Sequence, residues 1–203
     1  MIKEIIIAII IGYVLGSIPF ALVIGKVFYK TDIRNFGSKN LGGGNAGRVL
    51  GKKAGLAVMT LDILKVALAI CITSFFEHAD IVMIHAGLFA AIGHCFPIFA
   101  RLKGGKAVAA MYGFLFGMAL FGPYDLTIFI FPIIVFLVVL YLGKMISLSS
   151  ICSALFITTY IGFTDDSAVM LGALIIFTIL IIWRHRTNIV KMMRREENKI
   201  SWM

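Results

Sequence analysis

The sequence predicts an all-α polytopic membrane protein of about seven transmembrane helices, with the N-terminus outside and the C-terminus in the cytoplasm. Three observations lead there. Hydrophobic residues make up 61% of the chain and charged residues 14%, with a mean hydropathy of +1.01. A soluble fold of 203 residues has no way to cover such a core with so few charges, and the same composition excludes disorder. Apolar stretches recur along the chain, and the basic residues fall on alternate connections between them. Residues 1–203 are expected to form a single integral-membrane domain.

The stretches lie near 5–25, 54–76, 82–100, 107–121, 126–142, 149–163 and 168–183. A hydrocarbon core of about 30 Å takes roughly 20 helical residues. The fourth and sixth are short, so five full spans with two partial ones also fit. In the first, Lys3 precedes Ile5–Ile11 in the manner of a signal peptide, but no small-x-small cleavage site follows. The run continues through Gly16-Ser17-Ile18-Pro19-Phe20, which reads as a retained helix kinked at its proline. In the second, Asp62 and Lys65 are spaced to pair on one helix face. A lone charge at mid-membrane costs about 2.5–3.5 kcal/mol, so the pair is expected to face the bundle interior in a structural role. Cys71, Cys95 and Cys152 sit in separate apolar segments without metal-ligand spacing and read as small hydrophobes.

Orientation follows from the cations. The formal charge is +9, from 19 Lys+Arg against 10 Asp+Glu. Lys26, Lys30, Arg34, Lys39, Arg48, Lys52 and Lys53 lie in or beside the first connection, and Arg101, Lys103 and Lys106 in the third. Lys144 lies in the fifth, and Arg184, Arg186, Lys191, Arg194, Arg195 and Lys199 in the tail. The other connections carry Glu77, Asp80, Asp125, Asp165 and Asp166 and no Lys or Arg. The positive-inside rule places the basic side in the cytoplasm, which requires an odd number of spans.

Most of the remaining polar residues fall in four segments on that side. The longest runs from Thr31 to Arg48 and contains Gly37-Ser38-Lys39-Asn40 and Gly42-Gly43-Gly44-Asn45. Two readings fit it. Glycines let backbone N–H groups turn inward around an anion, with Ser, Asn and Arg adding donors. Alternatively it is a basic loop lying on anionic headgroups, each cation contributing about 1 kcal/mol. Lipid contact alone does not call for the Gly/Asn/Ser content.

The second segment is Gly93-His94-Cys95-Phe96-Pro97 followed by Lys103-Gly104-Gly105-Lys106. Two glycines before a lysine at a helix start would bring free N–H groups, helix dipole and ammonium together on a phosphate. The spacing is not that of a Walker A loop, and a basic turn at the membrane edge fits equally. His94 there reads as a packed or hydrogen-bonded histidine. The third segment, Gly143 to Ser150, places Ser147 as a helix N-cap. The fourth, Arg184-His185-Arg186-Thr187-Asn188 with Glu197 and Lys199 beyond, also fits a basic amphipathic tail on the membrane surface. None of His78, His85, His94 and His185 is followed five positions on by an acidic residue, so the His-x4-Asp pair of acyl-CoA-type glycerolipid acyltransferases is missing.

Together these segments resemble the bacterial acyl-phosphate:glycerol-3-phosphate acyltransferases, the PlsY family. The resemblance covers the whole chain. It is carried by Gly16 to Phe20; by Asp32-Ile33-Arg34 with Gly37-Ser38, Asn40, Gly42, Asn45 and Arg48; and by Leu61-Asp62 with Lys65. It continues in Gly93-His94 with Phe96-Pro97, Lys103 to Lys106, Ser147-Leu148 with Ser150, and His185-Arg186 with Asn188-Ile189 and Glu197.

The resemblance implies transfer of a fatty acyl group from acyl phosphate to the 1-position of glycerol 3-phosphate. The products are lysophosphatidate and inorganic phosphate, the first acylation of phospholipid synthesis. It implies a monomer in the inner (plasma) membrane with its site at the cytoplasmic face, and no cofactor, metal or nucleic acid. Catalytic roles fall on Ser38, Arg48, Lys106, Ser147, His185 and Asn188. Substrate-binding roles fall on Arg34, Gly37, Asn40, Asn45, Gly104, Gly105 and Glu197. An acyl phosphate is already activated, so positioning and charge stabilisation remain for the protein. The base is either the substrate's own phosphate or His185 oriented by Asn188.

This chain departs from the family pattern in places. Lys39 stands where a glycine is usual, Gly44 replaces a threonine, Ala107 and Ala110 replace a glycine and a threonine after the loop lysine, Lys144 replaces an arginine and Arg195 a tail glycine. These departures keep open an altered-acceptor or non-catalytic relative, such as a lipid or phosphate-anion transporter or an adaptor. Transporters place polar and broken-helix features at mid-membrane. Here only Asp62 and Lys65 lie deep, which favours an interfacial enzyme.

Overall fold

A computed structural model describes residues 1–76 and 79–200. Glu77 and His78, both used in the sequence reading, lie outside the described residues. The described chain is helical, without a strand, and divides into two compact units, Met1–Tyr124 and Asp125–Met203.

The first unit contains α1 (Ile2–Gly16), α2 (Phe20–Tyr29), α3 (Gly43–Leu50), α4 (Lys52–Thr73), α5 (Ala79–Cys95) and α6 (Val108–Phe121). The expected kink is a break: α1 stops at Gly16, and Pro19, which has no N–H to continue the ladder, stands as the cap residue of α2. Helix α4 is the hub and packs against α1, α2, α3, α5 and α6. It buries Asp62 and Lys65 among Val58, Val66, Ala69 and Ile70, so both charged side chains do face the interior.

Helices α1 and α5 approach through glycine. A Cβ on Gly12 would sit 2.1 Å from the Ala86 carbonyl oxygen, and one on Gly16 2.1 Å from that of Ala90. Gly113 on α6 meets Ile63 of α4 in the same way, at 2.4 Å. In a lipid solvent, helix association depends on such close backbone packing, because burying apolar surface gives little advantage over lipid tails.

The second unit contains α7 (Thr127–Gly143), α8 (Ile146–Thr164), α9 (Ala168–Arg184) and α10 (Arg186–Met193), with α8 packed on both α7 and α9. The Thr158 and Thr178 hydroxyls join α8 to α9 at 2.8 Å. Ser167 caps α9, accepting from the Met170 amide at 3.2 Å. Ser147 is not the N-cap of α8: that place belongs to Met145, in extended conformation, and Ser147 lies within the first turn.

Four segments are long and apolar enough to cross a membrane: Ile2–Tyr29, Lys52–Thr73, Asp80–Ala100 and Ile146–Thr164. The pair α9 and α10, bent by 59°, makes a fifth if counted as one span. Helices α6 and α7 are shorter, with 14 and 17 residues. At about 1.5 Å per residue, α6 falls well short of a 30 Å core.

Gly16→Ala is expected to lower stability by about 1–3 kcal/mol, since its methyl meets backbone rather than a movable side chain. Gly172→Ala on α9, where nothing lies within 4 Å, should be neutral or gain about 0.5–1 kcal/mol of helix propensity. Thermal unfolding of the two detergent-purified variants checks the pair.

Candidate functional site

The 31–51 connection is ordered by two side chains. Asp32 accepts from the Arg34 amide at 3.1 Å, from Arg34 Nε at 2.9 Å and from the guanidinium terminus at 2.5 Å, closing a 3₁₀ turn over Ile33–Asn35. Arg34 holds the Asp32 carboxyl down at about 2, against an ordinary value of 3.8, and Lys26 adds to this from 3.8 Å. Ile33 anchors the turn, fully buried among Ala21, Leu22, Ile24, Leu41, Ala46 and Val58.

Asn45, on α3 and 2% exposed, organises the next part. Its Oδ1 accepts from the Ser38 amide at 2.8 Å, and its Nδ2 donates to the carbonyls of Ile33 at 3.2 Å and Phe36 at 3.3 Å. Gly37, at φ +58°, passes so close that a Cβ would lie 2.3 Å from Asn45 Oδ1. Asn45 therefore acts as the internal template on which the loop folds. Ser38 and Arg48 are left exposed, Arg34 and Asn40 half-buried. Gly43, Gly47 and Gly55 let α3 lie against the start of α4: a Cβ on Gly55 would sit 2.6 Å from Gly47 Cα.

The lysine turn departs from its sequence reading. Helix α6 begins only at Val108, and the Gly104 and Gly105 amides are not free for an anion. Gly104 donates to the Cys95 carbonyl at 3.1 Å and Gly105 to the His94 carbonyl at 2.9 Å. Both glycines are buried and Lys106 is half-buried. The glycines thus pin the turn to the end of α5, and the cation is supplied by Lys106.

One participant was missed in the sequence. Lys65 Nζ donates to Asp62 Oδ1 at 2.7 Å, as expected of the pair, but His94 Nδ1 lies 3.5 Å from the same oxygen. Nothing in sequence spacing joins positions 62 and 94; only the packing of α4 on α5 does.

In the second unit, Ser147, Asn188 and Glu197 come together. Glu197 Oε1 accepts from the Ser147 hydroxyl and from Asn188 Nδ2, the latter at 2.8 Å. The tail is strapped in place by the Ile200 amide, which donates to the Lys144 carbonyl at 2.8 Å. Glu197 therefore sets the orientation of two polar side chains. His185, 3% exposed, sits at the joint of α9 and α10 with Nδ1 2.8 Å from the Ile181 carbonyl. Donation through Nδ1 leaves Nε2 as the basic ring nitrogen.

Three residues that the resemblance sets against glycines share one backbone state. Lys39, Ala107 and Arg195 have φ of +58°, +64° and +60°. For a residue bearing a Cβ this region costs roughly 1–2 kcal/mol. Ala107→Gly is accordingly expected to stabilise the protein by about 0.5–1 kcal/mol, read as a higher melting temperature.

Asp32 gives a pH test. A carboxyl depressed in the fold contributes stability above its unfolded pKa of about 4, and that contribution is lost as pH falls towards 2. Its side chain is 22% exposed, so solvent screening limits the contribution to about 1 kcal/mol. Asp32→Asn should be less stable than the parent by that amount at pH 7, and the gap should close by about pH 2 in paired unfolding curves.

Comparison with known proteins places the chain among relatives. The profile of a family described as glycerol-3-phosphate acyltransferase matches residues 6–195. The glycerol-3-phosphate acyltransferase of Bacillus subtilis (strain 168) is 44% identical over 195 residues, covering 96% of this chain and 97% of that protein. That of Listeria welshimeri serovar 6b is 45% identical over 199 residues, covering 96% of each chain. Among solved structures, the glycerol 3-phosphate form of PlsY (YgiH), an integral membrane glycerol 3-phosphate acyltransferase, matches with a TM-score of 0.88 at 32% identity, covering 97% of this chain and 96% of that one. Its lysophosphatidic acid form matches with a TM-score of 0.85 at 31% identity, covering 97% and 95%.

Proposed function

This chain belongs to the glycerol-3-phosphate acyltransferase family, and from that membership we propose that it transfers a fatty acyl group from acyl phosphate to the 1-position of glycerol 3-phosphate. The observation that carries the proposal is the extent of the match: one family profile runs through residues 6–195, across both units, as one acyltransferase domain would require.

In this reaction a hydroxyl oxygen of glycerol 3-phosphate attacks the acyl carbonyl carbon. The bond from that carbon to the phosphate oxygen breaks, and its electron pair leaves with the phosphate. The hydroxyl proton passes to a base, and 1-acyl-glycerol 3-phosphate and inorganic phosphate result. No protein nucleophile is needed, because the acyl group arrives on a good leaving group. Fixed cations and hydrogen-bond donors suffice to hold the phosphates and stabilise charge as it develops.

We assign the acyl-phosphate group to Ser38, Arg48, Lys106 and Ser147, and glycerol 3-phosphate to Arg48, Lys106, His185 and Asn188. Asn45 and Gly37 shape the first loop, Gly104 and Gly105 the second, with Arg34 and Asn40 beside the first; Glu197 orients Ser147 and Asn188. The substrate phosphate serves as base in one route. The hydrogen-bond distance from His185 Nδ1 to the Ile181 carbonyl favours a second, in which His185 Nε2 takes the proton.

We further propose seven membrane-crossing or partly crossing segments, N-terminus outside and C-terminus in the cytoplasm. The support is the segregation of basic residues onto alternate connections. A monomer in the inner membrane, working at the cytoplasmic face, completes the proposal.

Purified protein should release phosphate from palmitoyl phosphate only when glycerol 3-phosphate is present, and should not use acyl-CoA. Lys106→Ala and Arg48→Ala should each lose about 100-fold or more in turnover. Absence of acyl-phosphate turnover, together with Lys106→Ala still complementing an acyltransferase-deficient strain, would overturn the assignment.

A further inference from the structure

We propose that Asp62 is a positioning residue for this reaction: acting through the His94 ring, it fixes the turn that carries Gly104, Gly105 and Lys106. The inference rests on the acyltransferase reading above, in which Lys106 holds substrate phosphate.

The starting point is a surplus of polar groups in an apolar interior. Asp62, Lys65 and His94 are only 1%, 4% and 5% exposed. The carboxylate and ammonium already neutralise each other within α4 at 2.7 Å, and Lys65 also donates to the Ile18 carbonyl at 2.8 Å. Charge balance does not call for an imidazole as well. Yet His94 Nδ1 lies 3.5 Å from the Asp62 oxygen that Lys65 already uses. Burying a further polar ring there costs free energy unless its nitrogens find polar partners, and Asp62 supplies one.

The opposite edge of the ring meets the turn. A Cβ on Gly105 would fall 1.9 Å from His94 Nε2, so Gly105 lies directly against the imidazole. The same residue's carbonyl accepts the Gly105 amide at 2.9 Å, and the next carbonyl accepts the Gly104 amide at 3.1 Å. His94 thus contacts the turn through ring and backbone together, while Asp62 holds its other edge. The turn needs such an anchor. Arg101, Leu102 and Ala107 all sit at positive φ, of +56°, +58° and +64°. Strained conformations of this kind persist only where the surroundings over-determine them. Lys106 adjoins Gly105, so its placement depends on this support.

The test uses full-length protein and two variants. His94→Phe keeps a ring to pack on Gly105 but has no nitrogen to pair with Asp62. Asp62→Asn combined with Lys65→Met removes both charges together, so neither is left buried alone. Each is expected to raise the KM for palmitoyl phosphate about tenfold, with a smaller change in kcat. Each should also speed trypsin cleavage after Lys106 about tenfold relative to cleavage in the 194–199 tail, with melting temperature nearly unchanged.

Wild-type KM and trypsin rate in both variants would overturn the proposal, and so would loss of the fold in both, because the network would then serve the bundle as a whole. The trypsin arm needs no substrate. Failure of the parent to turn over acyl phosphate would therefore sink the functional reading, while the trypsin arm would still decide whether Asp62 and His94 anchor the turn.

Discussion

The structure depends on one interaction, the ion pair between Asp62 and Lys65 inside the helix bundle of the first unit. Either charge alone would strain a helix in hydrocarbon, by about 2.5–3.5 kcal/mol on insertion scales. Paired across one helical turn they cancel, and each then satisfies a further neighbour. Lys65 reaches the Ile18 carbonyl at the Pro19 break, which also accepts the Phe20 amide at 3.2 Å, and passes 5.7 Å from the Phe20 ring. Asp62 reaches His94 near the end of α5. One pair thereby links the broken first segment, the hub helix and the connection bearing Lys106.

Within each unit, polar side chains are used to shape backbone. Asn45 spends its amide on the loop carrying Ser38 and is buried by doing so. The Gly104 and Gly105 amides are turned inward to α5. Glu197 gathers Ser147 and Asn188. This division suits the acyl transfer proposed above. The chemistry asks for preorganised charge rather than a nucleophile, and fixed groups supply charge without reorganising during the reaction.

The glycine departures acquire a physical meaning in the same frame. The family resemblance sets Lys39, Ala107 and Arg195 against glycines. The backbone adds that all three occupy left-handed conformations, so the chain keeps the fold's turns while carrying their steric cost. Gly44→Thr or its reverse has no such reading, since nothing lies within 4 Å of a Cβ there.

By itself the sequence determined the helical membrane class, the sites of the apolar segments, the Asp62–Lys65 pairing and the family. Each is written in local quantities: hydropathy over a window, charge on alternate connections, an i,i+3 spacing and ordered motifs. It did not determine that Ser147 lies beyond the helix cap, that the lysine-turn amides are already taken, or that His94 joins the ion pair. Those depend on which carbonyl or carboxylate arrives from another element. Hydrogen bonds are made between atoms about 3 Å apart regardless of their separation along the chain. Only the packing of α4 on α5, and of the tail on the start of α8, decided which donors were consumed internally.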